Sequence, residues 1–381
     1  MIDTNEIEAL IHFKQEGSYW DFKREWYLPD KKHDLVHDIL CFANNLVSHD
    51  CYIIIGVDEE NDYALKSVGN DANRKKTQDI VRILADKKFV GNVRPVVWVE
   101  TINIGEDFLD VICIKNTYDT PYYLTERFQQ IQAYHIYTRV QDTNTPIDRS
   151  ADINHVEYLW KKRFRLLESP YERLKYYLTD KENWLISPVE NETIRYYKFN
   201  PEFTIEEIET DRDGYEFYLF SQTDPRPHWL DFDIKYRQTV IESFGGALLD
   251  GARYITSCPN TGFINFNHYF TEEDSYSYKY FIKNEVSYLL HLLLFNEESF
   301  DSVVAHDKFL ECVLIYDSIE EKDRFEEYIK ESKELFMERI NTCPAKIIEK
   351  IPNYRMSVLE RQLKTAYVLK TLLKEYRNST K

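Results

Sequence analysis

The stretch EGSYWDFK spans residues 16–23. It sets two acids, Glu16 and Asp21, and a cation, Lys23, among the aromatic residues Tyr19, Trp20 and Phe22. A solvated loop has no need of the aromatics. A buried strand does not tolerate the charges, because burying an ion costs several kcal/mol unless it is paired or bound to metal. The stretch reads as a turn and a short strand, with Trp20 and Phe22 on one face and Asp21 and Lys23 on the other. The aromatics then anchor the strand, and the charged side chains face a cleft that handles a metal ion or a phosphate.

Outward from this point the chain alternates helix and strand. NEIEALIHF, before it, places Ile7, Leu10 and Ile11 at helical spacing. KKHDLVHDILCFANNL, after it, repeats that spacing through Leu35, Val36, Ile39, Leu40, Ala43 and Leu46. DCYIIIGVDEEND is a continuous apolar run, hence a strand covered on both faces, ending at Gly56 and an acidic turn. NRKKTQDIVRILADKKF is a second amphipathic helix, and RPVVWVETINI, DFLDVICIKN and AYHIYTRV are three further strands. The order predicts an α+β domain with a mixed sheet over residues 1–160. A second mixed α/β domain is expected over 161–381, with strands at YEFYLFSQ, ARYITSCP and FLECVLIYD. Its helices are expected at YFIKNEVSYLLHLLLFN, KDRFEEYIKESKELFMERIN and VLERQLKTAYVLKTLLKEY. No fixed-period repeat or Pro-rich hinge interrupts it. Its composition names no chemistry, and regulation, partner sensing or dimerisation are the roles left open.

An aromatic share of 15% supplies core for both domains and argues against disorder. The net charge of −18 argues against indiscriminate coating of nucleic acid, though not against a local basic groove. Six scattered cysteines form no CxxC or Cys/His cluster. The acidic start MIDTNEIEAL does not resemble a signal peptide, and no apolar run reaches membrane-spanning length. A reduced, cytoplasmic, membrane-free protein is the expectation.

GxxxxGK[ST], GxSxG, HExxH and GxGxxG are all missing. His33 and His37 stand i,i+4 on one helix without a third ligand and read as a surface pair. The acids carry more. Asp58, Glu59 and Glu60 follow the buried strand, at a strand end where sites collect. Together with Glu16 and Asp21 they offer hard oxygen ligands for Mg²⁺ or Mn²⁺, which would polarise a phosphodiester, while Lys23 balances the developing charge. The alternative is a set of surface contacts: Glu16 capping a turn, Asp21 paired with Lys23 or Arg24, and 58–60 a solvated hairpin.

EGSYWDFK, then CFANN at a helix end, then YIIIGVDEEND, resembles the Schlafen AlbA-type domain. That family's pattern runs E-[SG]-x-x-x-E-F-K, A-F-A-N-T with two glycines, and an aliphatic run ending G-V-D-[DE]. AYHIYTRVQDTNTPID resembles its closing strand. The resemblance implies a nucleic-acid-binding or nucleotide-binding domain, or a metal-dependent endoribonuclease acting on tRNA or rRNA, in prokaryotes often in anti-phage defence. It also implies an active site at Glu16, Asp21 and Asp58, with Glu59 able to replace the last. Two departures stand out. Asp21 replaces the family's second Glu, and LVSHD at 46–50 replaces the glycine pair.

For substrate grip, Arg74, Lys75, Lys76, Arg82, Lys87, Lys88 and Arg94 form a basic island opposed only by Asp79 and Asp86. Arg139 and Arg149 are further candidates to contact RNA, or to pair with Asp142 and Asp148. Tyr19, Trp26 and Tyr63 are the aromatics open to base stacking. The expected partner is a tRNA-like RNA, with a homodimer as a second possibility. The competing function is a regulatory protein that binds nucleic acid or nucleotide without cutting.

Overall fold

The computed structural model describes residues 2–187, 193–266, 275–347, 351–352 and 354–379. The chain divides into two compact units, Met1–Leu167 and Glu168–Lys381, and both are α+β.

In the first unit, helix α1 (Thr4–His12) starts where the Asp3 carboxylate accepts a hydrogen bond from the Asn5 amide. Strand β1 (Trp20–Lys23), helix α2 (Lys32–Ala43) and strand β2 (Cys51–Ile55) follow. Next come the ribbon β3 (Val57–Asp58) and β4 (Ala64–Leu65), helix α3 (Thr77–Ala85), and the hairpin β5 (Val97–Ile104) and β6 (Asp107–Ile114). A second ribbon, β7 (Arg139–Val140) and β8 (Thr143–Asn144), leads into helix α4 (Ile153–Arg163). The main sheet runs β1-β2-β6-β5. β1 lies parallel to β2, and the other pairings are antiparallel.

Every residue of β2 is buried, as its unbroken apolar run requires. Ile53 and Ile55 face the core that α2 and α3 complete, whereas Tyr52 and Ile54 face the core shared with α1. The parallel register places Asp21 beside Ile53 and Phe22 beside Ile54. Phe22 therefore packs toward α1, and Asp21 lies on the α2 side. Gly56 links β2 to β3 at φ +108°. A Cβ there would stand 2.5 Å from Leu109 and 2.8 Å from the Lys66 carbonyl.

AYHIYTRV forms a strand only at Arg139–Val140. Over the rest, side chains and single backbone bonds take the place of a ladder. Asn44 Nδ2 donates to the Tyr137 carbonyl at 2.9 Å, the Ile136 backbone amide donates to Ser150 Oγ and the Thr138 backbone amide to Thr145 Oγ1, both at 3.0 Å, and the Ile136 and Thr138 carbonyls accept from the Ala151 and Thr145 amides at 2.7 and 2.8 Å.

The second unit opens with helix α5 (Pro170–Thr179). Strands β9 (Trp184–Ile186), β10 (Ile194–Tyr197), β11 (Asn200–Glu209), β12 (Trp229–Tyr236), β13 (Thr239–Leu249) and β14 (Tyr254–Ser257) then form an antiparallel meander. A three-stranded sheet joins β15 (Asn260–Asn265), β16 (Ser275–Ile282) and β17 (Val313–Tyr316). Helices α6 (Val286–Leu294) and α7 (Phe300–Glu311) precede β17. Helices α8 (Ile319–Glu331), α9 (Lys333–Thr342) and α10 (Met356–Ser379) follow it. Two expectations are corrected. YEFYLFSQ holds a 3₁₀ turn at Phe217–Ser221, because Phe217, Tyr218 and Leu219 are all buried and consecutive apolarity does not fix a period of two. The helix expected from residue 280 begins at Val286, and the preceding residues through Ile282 belong to β16. No helix among the described residues is long and apolar enough to cross a membrane.

Candidate active site

β1 carries Asp21 and Lys23 and follows the turn that holds Glu16. The Glu16 carboxylate accepts from the Phe22 amide at 3.1 Å, folding the turn back on the strand. Arg139, at the start of β7, arrives from more than a hundred residues away and is only 2% exposed. Its Nη2 donates to Glu16 Oε2 at 2.8 Å and to Asp21 Oδ1 at 3.2 Å, so one nitrogen ties the two acids together. Its Nε donates to the Gly17 carbonyl at 2.9 Å, and its guanidinium lies 4.8 Å from the centre of the Phe42 ring. Lys23 bonds the other oxygen of Asp21 and leaves about a third of its own side chain (34%) in solvent.

Burial and the neighbouring Asp21, through its hydrogen bond and its charge, push the Glu16 carboxyl up to about 8, against the Phe22 amide and Arg139. Asp21 moves the other way. Burial opposes its ionisation, but the Glu16 hydrogen bond and the charges of Lys23 and Arg139 outweigh it and hold the carboxyl below the usual range. The two carboxyls thus titrate as a pair, Glu16 shifted up and Asp21 down. Burial and the charge of Asp21 raise the Glu59 carboxyl, against Lys23 and Glu16. Burial alone would lower Lys23, yet Asp21 and Asp38 raise it and keep it charged.

Asp58 takes a different partner, Arg24, whose Nε stands 3.4 Å from its carboxylate. Of the acids after the buried strand, Glu59 is the one whose carboxyl responds to Asp21, and both Glu59 and Glu60 are exposed. The Asp21–Lys23 contact weighed as a surface alternative is also present, but at a buried aspartate. The acids lie beneath the α2 face rather than wholly in an open cleft: Asp21 is 3% exposed.

Asp38 and Asn144 complete the network, and sequence reasoning did not single them out. Asn144 Oδ1 accepts from Arg139 Nη1 at 3.0 Å, and its Nδ2 donates to Asp38 Oδ1 at 2.8 Å. The Tyr27 hydroxyl donates to Asp38 Oδ2 at 2.6 Å. Burial raises the Asp38 carboxyl to about 6, against the charge of Lys23. A readable signal existed for Asp38, an acid on the apolar stripe of α2 between Leu35 and Ile39. None existed for Asn144.

The basic residues divide. Arg74 grips the buried Asp110 with two bonds of 2.7 Å, and Asp110 also accepts from Trp26 Nε1 at 2.9 Å. Lys75 donates to the carbonyls of Asn73 and Tyr27 at 2.7 and 3.3 Å. Lys88 pairs with Glu126 at 2.6 Å, and Lys87 lies 3.9 Å from the centre of the Phe128 ring. Lys76, Arg82 and Arg94 are exposed. Arg149 and its neighbour Asp148 form an exposed pair at 3.5 Å. Arg139, expected to contact RNA, is instead the internal cation of the site.

Two further expectations are corrected. Trp26 is 1% exposed, so its ring is core and is closed to a base. His33 and His37 are not a surface pair: both are largely shielded, and His37 Nε2 stands 3.0 Å from the Thr145 carbonyl. Tyr63 packs edge-on against Phe22, and Tyr19 against Trp20.

Carboxylate oxygens are the donors a hard divalent cation takes. Glu16 and Asp21 supply two of them side by side. Among the described residues no three Asp, Glu, His or Cys side chains stand together as a ligand cluster. A cation of the magnesium type asks for no more than one or two carboxylates where substrate phosphate supplies the other ligands.

Residues 16–148 match the family model described as Schlafen, AlbA_2. The matched segment begins at Glu16 and ends just past the β7–β8 ribbon, so it contains Asp21, Asp38, Glu59, Arg139 and Asn144. It covers about a third of the chain and lies wholly in the first unit. No curated protein matches the sequence. The matched domain ties the first unit to nucleic-acid-related function.

Proposed function

We propose that the first unit is a metal-dependent endoribonuclease acting on a tRNA-like RNA. The observation that carries the reading is the Glu16–Asp21 pair, two carboxylates crowded on one nitrogen of Arg139, with the Glu16 carboxyl pushed up to about 8 by burial and by Asp21. Carboxylates that retain a proton near neutral pH are poised for exchange of that proton for a cation. Mg²⁺ or Mn²⁺ held by Glu16 and Asp21 would polarise the phosphodiester and supply a nucleophilic hydroxide. Glu16 would have to be ionised to hold the cation. Lys23, whose side chain is about a third exposed, would balance negative charge on the phosphate. Arg139 keeps the two acids together, and Glu59 stands at the exposed edge as a proton acceptor. Asp58, which the resemblance implies as a ligand, acts in this reading through Arg24. Lys76, Arg82 and Arg94 offer exposed charge to the RNA backbone. Support for an anti-phage setting lies in the resemblance to the family alone.

The test is incubation of purified protein with tRNA and Mn²⁺, with and without EDTA, read by gel. Glu16→Gln and Asp21→Asn are each expected to lower cleavage by about a hundredfold or more, in line with removal of a group that stabilises the transition state. Equal cleavage by wild type and variants, or none by wild type, would overturn the proposal. A second reading has its own observation. Arg139 and Lys23 already neutralise Asp21, which suits a domain that binds RNA without cutting it. Binding of the same tRNA with no cleavage under any divalent ion would select that reading.

A further inference from the structure

Arg139 is held from behind as well as from the front. Its Nη2 meets the two acids, while its Nη1 meets Asn144 Oδ1 at 3.0 Å. The Asn144 amide faces two ways, oxygen toward Arg139 and nitrogen toward Asp38 at 2.8 Å. A carboxylate only accepts hydrogen bonds, so Asp38 can pair only with the NH₂ end of that amide, and the oxygen end is thereby turned toward Arg139. The Tyr27 hydroxyl donates to the second oxygen of Asp38 and fixes the carboxylate plane. The row Tyr27, Asp38, Asn144, Arg139 thus carries orientation from α2 and the residues before it, through the β7–β8 ribbon, to the acids of β1 and its turn. Neither Asp38 nor Asn144 bonds Glu16 or Asp21 directly.

We infer that Asn144 and Asp38 are positioning residues of the active site, acting through Arg139 to hold Glu16 and Asp21 in register. The inference rests on the reading of Glu16 and Asp21 as the acting acids. Outer partners of this kind are worth about 10- to 100-fold in activity when removed. The row also explains a deep polar investment: an Asp and an Arg, each mostly out of water, are linked through one neutral amide that satisfies both.

The roles of the two residues can be exchanged. Asn144→Leu removes both the oxygen that Arg139 meets and the NH₂ that Asp38 meets, and breaks the row. The double variant D38N/N144D keeps it, because the new amide donates to the new carboxylate and that carboxylate accepts from Arg139. Two readouts apply to the full chain. The first is the ¹⁵N–¹H spectrum of the Arg139 guanidinium, which shows slowly exchanging signals when its rotamer is fixed. The second is kcat against KM for tRNA cleavage with Mn²⁺.

N144L is expected to lose the Arg139 signals and to lower kcat about 10- to 100-fold with KM within about twofold. The double variant D38N/N144D is expected to keep the signals and most of the rate. Persistence of the signals in N144L, or their loss in the double variant at a thermal midpoint equal to wild type, would overturn the inference. If wild-type protein cuts no RNA, the nuclease reading fails, and the guanidinium spectra still decide the role of Asn144.

Discussion

The two units connect their buried polar groups differently. The first links buried charges into one cluster: Arg139, Asp21 and Asp38 are each under a tenth exposed and are linked through hydrogen bonds that cross more than a hundred residues of chain. The second buries charge at separate points, Arg173 over the Phe203 and Tyr236 rings and Asp250 against the Asp224 amide and Arg253, and otherwise buries neutral groups. His291 is fully enclosed, with Nδ1 near the hydroxyls of Tyr254 and Thr256 at 3.0 and 2.9 Å, and it stacks on Phe281. Tyr278 and Tyr316 meet hydroxyl to hydroxyl, and Tyr278 donates to Glu326 at 2.7 Å. Charge pairs of the second unit, such as Arg195 with Glu207 and Lys235 with Glu206, lie across neighbouring strands of the meander and retain contact with solvent. The contrast teaches where chemistry resides. Ions held out of water cost desolvation that apolar packing would avoid, so a connected cluster of them marks a site, whereas a neutral buried network does no more than build a core.

The strongest way to break the contrast is Arg139→Leu. It strands Glu16 and Asp21 without their shared cation and is expected to cost about 3–5 kcal/mol, read from urea unfolding. A loss under about 1 kcal/mol would show that the cluster is not held by charge pairing. Next in size is pH. His291 is lowered to about 3, chiefly by burial, so the unfolded chain binds its proton more readily than the folded one. Its contribution is complete above about pH 6.5 and falls as pH drops toward 3, by about 2 kcal/mol between pH 7 and pH 5. Glu16 has the opposite sign. Its raised carboxyl is protonated in the folded state, so its contribution is complete below about 4.5 and is lost as pH rises through about 8. Urea melts of wild type and His291→Leu between pH 5 and 8 separate the two. The variant is expected to flatten the acid limb and leave the alkaline limb in place.

Tyr278→Phe removes one hydroxyl between Tyr316 and Glu326 and is expected to cost about 1–2 kcal/mol, well below the Arg139 variant. A cost equal to that of the charged cluster would erase the distinction between the units. The smallest effect belongs to Arg149→Ala, which removes an exposed pair with Asp148 and is expected to change stability by no more than about 0.5 kcal/mol. A large loss there would mean that the β8–α4 connection depends on a surface ion pair.

Some of this was legible without coordinates. The unbroken run at Cys51–Ile55 could only be a strand covered on both faces. The helical spacing of Leu35, Val36, Ile39 and Leu40 announced α2, and the acids of EGSYWDFK announced a site. These are short-range features, and period and composition carry them. Other assignments depended on partners far away in the chain. Arg139 and Arg149 look alike in sequence, yet one is sealed against Glu16 and Asp21 and the other stands in water. Trp26 looked open to a base until Asp110 and the core enclosed it.

By itself the sequence determined most elements of the first unit and the presence of a charged, aromatic-rich turn near the start, because backbone preference and hydrophobic period are written locally. Tertiary structure alone decided that Asp58 pairs with Arg24, that a distant arginine is the counter-ion of Glu16 and Asp21, and that Asn144 and Asp38 stand behind that arginine. The reason is physical. A hydrogen bond across a hundred residues or more depends on where the chain returns in space, and no local pattern records that return.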